Sequence, residues 1–172
     1  MKKKILCSLV VCAALMFGSC RGADGGFVYV NDEFDLGFTP IDSMVMSTEE
    51  ELAAVAEEGI AYEMMATVAD TQSAVVVTVQ EDLYGGAKAY LESVRATLSI
   101  EGYNIAYGEV TPASVAGEEY YVLKLTMSYG DHSMNMATYA RSDDKELLLI
   151  NMSYTDEAEL IRILGCFSEF ED

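Results

Sequence analysis

Along most of this chain, apolar and polar residues alternate with the two-residue period of a half-buried strand. In three stretches they switch to helical spacing. Phe27-Val28-Tyr29-Val30 reads as a short strand, and Phe34 to Met46 holds a second one broken near Pro40. Ser47, followed three residues later by Glu50, makes a capping box opening a helix through Leu52, Val55 and Ala56 that stops at Gly59. Glu49, Glu50 and Glu51 in its first turn suit the positive end of the helix dipole. Strands follow near Ile60 to Val68 and Ala74 to Gln80. The second contains Ala74-Val75-Val76-Val77-Thr78-Val79, apolar on both faces, which predicts a central strand covered on each side.

Gly85-Gly86 leads into a second helix, with Ala87, Tyr90, Leu91, Val94 and Leu98 on one stripe and Gly102 as its stop. Four strands come next, near Asn104 to Val110, Glu119 to Met127, Ser133 to Arg141 and Glu146 to Met152. Turn signals at Pro112, Gly130-Asp131 and Asp143-Asp144 separate them. Tyr121, Leu123, Leu125 and Met127 form a core face, with Val122, Lys124 and Thr126 turned outward. Thr155 caps a last helix whose Leu160, Ile163, Leu164 and Phe167 face inward. Strands dominate and the late ones are joined by hairpin-length turns, which predicts an α+β fold with a mainly antiparallel sheet.

The first 19 residues follow a different pattern. Lys2, Lys3 and Lys4 precede 13 uncharged residues from Ile5 to Phe17, a signal-peptide core too short to span a bilayer comfortably. Phe17-Gly18-Ser19-Cys20 then resembles the bacterial lipobox, with Phe17 in place of the usual Leu. The resemblance implies cleavage before Cys20 and a diacylglycerol on its sulfur, so that two acyl chains anchor the protein stably. An ordinary secreted protein cut at another small residue is the plainer alternative. Residues 1–19 are therefore expected to be a lipoprotein signal peptide, 20–26 the lipidated cysteine with a short tether, and 27–172 a single domain without repeat or linker. Extended, the tether reaches at most roughly 25 Å. Cys7 and Cys12 leave with the signal and Cys20 is lipid-linked, so Cys166 remains alone and the fold must hold without a disulfide.

Composition narrows the function. Hydrophobic residues make up 51% and charged residues 23%, in the range of a folded domain. Ten basic against 29 acidic side chains give a net charge of −19, and loss of the three leading lysines deepens it to −22. Such a surface repels phosphate backbones, which excludes nucleic acid as a partner. One histidine and no tryptophan leave little material for a His-based metal or catalytic site.

Several phrases, in their order, resemble PsbP-like domains of bacterial lipoproteins. They are Tyr29-Val30-Asn31 with Leu36-Gly37-Phe38, Tyr62-Glu63-Met64-Met65-Ala66, Ala116-Gly117-Glu118-Glu119-Tyr120, Tyr139-Ala140-Arg141 and Ile163-Leu164-Gly165-Cys166-Phe167. Thr39-Pro40-Ile41-Asp42-Ser43 stands where that family often carries Pro-x-Gly-Trp. The resemblance implies a central antiparallel sheet flanked by helices over nearly all of residues 27–172. It implies little chemistry, because members serve as accessory and binding proteins with unrelated partners, among them a photosystem II subunit and a nuclear-import cofactor.

Candidate chemical groups each have a plain structural reading. Cys166 and His132 are the remaining thiol and imidazole for a nucleophile–base pair, but Cys166 reads as an inert, partly buried thiol and His132 as part of a solvent-facing turn. Asp32, Glu33 and Asp35, Glu49 to Glu51, and Asp143-Asp144 supply carboxylates, though none has the spacing of a calcium loop. Tyr103, Tyr107, Tyr120 and Tyr121 could build a glycan-stacking surface, yet read better as core and rim; Met127, Met134 and Met136 read as gap-filling core rather than a thioether copper site. No P-loop, nucleophile elbow or dinucleotide fingerprint is present, and no catalytic residue, metal or cofactor is expected. The expectation is a lipoprotein held through Cys20 on the extracytoplasmic face of a bacterial membrane, a non-catalytic module binding an envelope or cell-surface protein with a basic patch. A carrier or sensor of a small ligand, with a pocket between sheet and helix, is the second reading. A hydrolase using two carboxylates in a cleft is the third.

Overall fold

The computed structural model describes residues 28–55 and 60–170. Cys20, with the rest of the expected signal and tether, lies outside these residues, and so does the expected helix stop at Gly59. Among the described residues, ten strands and three helices run in the order β1 (Tyr29–Asn31), β2 (Leu36–Phe38), β3 (Met44–Met46), α1 (Glu49–Val55), β4 (Ile60–Val68), β5 (Ala74–Glu81), α2 (Ala87–Thr97), β6 (Asn104–Val115), β7 (Glu118–Tyr129), β8 (His132–Asp143), β9 (Glu146–Tyr154), α3 (Glu157–Leu164) and β10 (Phe167–Glu169). Seven strands form an antiparallel sheet in the order β3-β4-β5-β9-β8-β7-β6, and β1-β2-β10 form a small second sheet. The fold is α+β and mainly antiparallel, as the patterning predicts.

Two-sided burial explains the uninterrupted apolar runs. In β9, Leu147 and Leu149 point to α2, while Leu148, Ile150 and Met152 point to the layer of the small sheet and α3. In β5, Val76 joins the first set and Val75 and Val77 the second. The stripe Ala87, Tyr90, Leu91, Val94 and Leu98 covers one face of the large sheet. Phe34, Leu36, Phe38, Leu160, Ile163 and Phe167 cover the other.

Two bulges set which face a side chain reaches. The β4–β5 register shifts between Tyr62 and Met64, leaving Glu63 as an extra residue. Tyr62 therefore packs on the α2 side and Met64 on the opposite one, although they are two positions apart. A similar shift lies between Tyr107 and Val110. Gly108 eases the close approach there, because a Cβ would stand 3.0 Å from the Lys124 carbonyl oxygen and press on that backbone.

Several expected details move. Pro112 lies inside β6 rather than in a turn. β6 pairs only with β7 and is an edge strand, where the missing proline N–H leaves one side of the ladder intact. The turn is instead Ala116-Gly117, both at positive φ, one of three two-residue hairpin loops with Gly130-Asp131 and Asp144-Lys145. Val122 is buried with Tyr120 under the small sheet, so β7 is covered on both faces at that end. The capping box of α1 is Thr48 with Glu51: the Thr48 N–H donates to Glu51 Oε2 at 2.8 Å, and the Glu51 N–H to Thr48 Oγ1 at 3.3 Å. α2 ends at Thr97, before Gly102, and Phe167 belongs to β10 rather than to α3.

The start of α3 is also capped one residue later than expected, by Asp156, whose Oδ1 accepts from the Glu159 N–H at 2.9 Å. Thr155 contributes to a different network. Its N–H and hydroxyl donate to Glu159 Oε2 at 2.8 and 2.7 Å, the Ser73 hydroxyl donates to the same oxygen at 2.7 Å, and the Thr71 hydroxyl donates to Oε1. Burial by itself raises the pKa of this carboxyl, but the hydrogen bonds from Thr71, Thr155 and Ser73 outweigh it and hold it at about 2. Glu159 thus ties the β4–β5 turn to α3.

Because the folded value is depressed, this contribution is present above the ordinary value of 4.5 and is lost as pH falls from there toward about 2. Glu159→Ala removes the acceptor for four donors and is expected to cost about 2–4 kcal/mol at pH 7. Urea titrations at pH 7 and pH 3 check both points: the loss is smaller at pH 3, where the wild type has already given up part of it.

Candidate functional site

The β5–α2 loop and the start of α2 form one wall of an open surface cleft. Asp82 Oδ1 accepts from the Tyr84 and Gly85 N–H groups at 2.9 and 3.0 Å, closing the loop locally. Gly85 (φ +80°) and Gly86 (φ +119°) then turn the chain into the helix, conformations that L side chains rarely adopt. No side chain of the loop caps α2; the Ala87 N–H donates to Ser142 Oγ, 3.2 Å away at the end of β8. The opposite wall comes from β7 and β8, through Glu118, Glu119, Tyr121 and Arg141. The space between is about 710 Å³.

Charge alternates across this cleft. The Lys88 ammonium lies 5.9 Å from the centroid of the Tyr121 ring, within cation–π range. Among the described residues it has no ion-pair partner within 4 Å. Arg141 sits between two layers: Nη2 is 3.2 Å from Glu118 Oε2 in the cleft wall, and Nη1 donates to the Phe34 carbonyl at 2.8 Å in the β1–β2 turn. Its guanidinium also lies 5.9 Å from the Phe34 ring centroid. Behind the wall, burial pushes the Tyr120 phenol up to about 12, with Arg141 pulling the other way. With Lys88 on one wall and Glu92, Glu118 and Glu119 on the rims, the cleft can receive groups of both signs.

The groups singled out in the sequence are mostly kept apart. His132 opens β8 at an exposed hairpin end, paired with Tyr129. Cys166 is buried beyond α3, its Sγ 4.0 Å from Met44 Sδ and 3.6 Å from the Arg162 carbonyl, and burial raises its pKa. A buried thiol of raised pKa is a poor nucleophile. Met127 and Met136 are buried against α2, with Met134 at their edge. Tyr120 and Tyr121 point to opposite faces, and the Tyr107 hydroxyl donates to the Leu98 carbonyl at the end of α2. Glu49 to Glu51 stay in the first turn of α1.

The remaining acidic groups converge in a way spacing does not reveal. The β1–β2 turn approaches the β8–β9 hairpin, so that desolvation first, and then Glu146, Asp143 and Asp144, raise the pKa of Glu33. Glu63 is raised by desolvation and by the same Glu146. Among the described residues no group of carboxylate, His or Cys side chains is arranged to hold a metal ion.

Sequence reading allowed a pocket between sheet and helix but could not place the α2 cleft or name its walls. The cleft's only local signal is Gly85-Gly86 before a helical stripe; Glu118, Tyr121, Arg141 and Ser142 come from strands some 30 to 55 positions away.

No protein-family model matches the chain, and no curated protein does. Among solved structures it is similar to the solution structure of cyanobacterial PsbP (CyanoP) from Synechocystis sp. PCC 6803. The two share 12% sequence identity with a TM-score of 0.55, over 90% of this chain and 99% of that one. At that identity the likeness speaks for the fold alone. This chain has a PsbP-like fold.

Proposed function

We propose that this chain is a lipid-anchored, non-catalytic accessory module, held through Cys20 on the extracytoplasmic face of a bacterial membrane, which docks an envelope protein at the α2 cleft. The cleft carries the reading. It is open and of mixed charge, with exposed glutamates around an unpaired lysine, as suits the polar rim of a protein interface.

The small-ligand reading has less support. The α2 cleft does lie between helix and sheet, but it is open and rimmed by charge. Deeper in the same seam Tyr90, Leu91 and Val94 pack on Leu123, Leu125, Met136 and Leu149, all buried, so no enclosed apolar pocket extends from it. An acidic module of net charge −19 favours a partner presenting a basic patch, whose encounter the charge accelerates at low salt.

Two outcomes are expected. Metabolic labelling of cells with an alkyne fatty acid tags the wild-type chain and fails to tag Cys20→Ser, which also moves from the membrane to the soluble fraction; unchanged labelling would refute the anchor. Crosslinking in the native membrane yields a stoichiometric partner through the cleft face, and replacing the exposed Glu92 and Glu119 together by Lys slows association about tenfold at low salt. Crosslinks confined to the small-sheet face, or a rate indifferent to both charge reversal and salt, would overturn the docking site.

A further inference from the structure

A second surface feature lies apart from the cleft, where β7 turns into β8. Tyr103, just before β6, and Tyr129, at the end of β7, place their ring centroids 5.3 Å apart with planes inclined by 38°. They are 43% and 59% exposed, the only aromatic residues among the exposed large apolar side chains of the described residues. The fold does not need these rings for its core, yet it positions them closely. The Tyr103 N–H donates to the Ile100 carbonyl at 3.1 Å, closing the turn through Glu101 and Gly102. Gly102 takes φ +86°, and a Cβ there would stand 3.4 Å from Tyr129 Cε2, so the Tyr129 ring lies against the bare glycine. The backbone at both rings is further held by the pairs Asn104–Ser128 and Tyr129–His132. Exposed polar residues Glu101, Asn104, Asp131 and His132 adjoin the two tyrosines along the chain.

Size and charge select the occupant. Two half-exposed tyrosines offer roughly 100 Å² each. That is far below the ~800 Å² a side that a stable protein interface buries. The neighbouring residues are polar, so the apolar patch does not continue along the chain on either side. A ligand matched to it has one apolar face of about a ring's area and a hydrogen-bonding edge, which is the description of a pyranose. The net charge of −19 disfavours anionic sugars.

We propose that the exposed face of the Tyr129 ring, braced by Tyr103 packed against it at 5.3 Å, stacks an uncharged pyranose of a surface glycan, with Glu101, Asn104, Asp131 and His132 available to its hydroxyls. The C–H face of the sugar lies on that electron-rich ring face, and the edge exchanges water for carboxylate, amide and imidazole partners. The site is separate from the protein-docking cleft and stands or falls independently of it.

The test is an NMR titration of the ¹⁵N-labelled full-length chain with chitotriose and with cellotriose, each to about 10 mM, a range matched to millimolar binding. The expected result is saturable amide shifts centred on Gly102 to Asn104 and Tyr129 to His132 with at least one of the two. Tyr129→Ala weakens that binding about tenfold or more, whereas Tyr129→Phe, which keeps the ring, leaves it within about a factor of two. Lys88→Glu, in the cleft, leaves it unchanged. Should Tyr129→Ala lose the native spectrum, Tyr103→Ala reads the same loss from the other ring. No shifts with either sugar, shifts centred elsewhere, or binding that survives the loss of a ring overturns the proposal.

Discussion

The structure depends on burying β5 and β9 on both faces at once. Val75, Val76 and Val77 in one, and Leu147 to Ile150 in the other, are fully buried, so neither strand tolerates water on either side. Each fully buried aliphatic side chain contributes on the order of 1.5–3 kcal/mol. That gain is realised only when α2 covers one face and the small sheet with α3 covers the other. Cys166 is free, and among the described residues no disulfide shares the task. The two covers are therefore requirements of the central strands.

Polar contacts then decide how the outer cover sits. Glu159 collects the Thr71, Ser73 and Thr155 donors and fixes α3 against the β4–β5 turn. Arg141 performs a similar service for the β1–β2 turn, through the Phe34 carbonyl, while its other nitrogen holds Glu118 in the cleft wall. One guanidinium thus couples the docking of the small sheet to the shape of the α2 cleft. Glu33 works against that docking at neutral pH, since desolvation and the nearby Glu146, Asp143 and Asp144 raise its pKa. The buried Phe34 ring and the grip of Arg141 oppose it.

Where reading the chain went astray, a local signal had an equally good neighbour or a distant partner. Ser47–Glu50 and Thr48–Glu51 both have capping-box spacing, and the folded chain forms the second. Pro112 is a sound turn signal until β6 is known to be an edge strand. Val122 alternates as an outward residue, yet the small sheet lies over that end of β7 and buries it. Phe167 continues a helical stripe by spacing, but the chain turns at Gly165 and the ring meets Phe38 at 4.9 Å in β10.

The sequence by itself determined the element types apart from β10, the antiparallel hairpins of β6 to β9, the centrality of β5 and the stripe of α2. Each follows from the period of apolar positions and from turn residues within a few positions of one another. Tertiary structure alone decided the cleft between Lys88 and Arg141, the convergence of Glu33 with Glu146, the four-donor cradle of Glu159 and the tyrosine platform. Those depend on which strands lie side by side and where two bulges shift the pleat. Apart from the two Thr155 donors, four positions from Glu159, such contacts join residues 26 to 113 positions apart, and side-chain periodicity carries no information at that range.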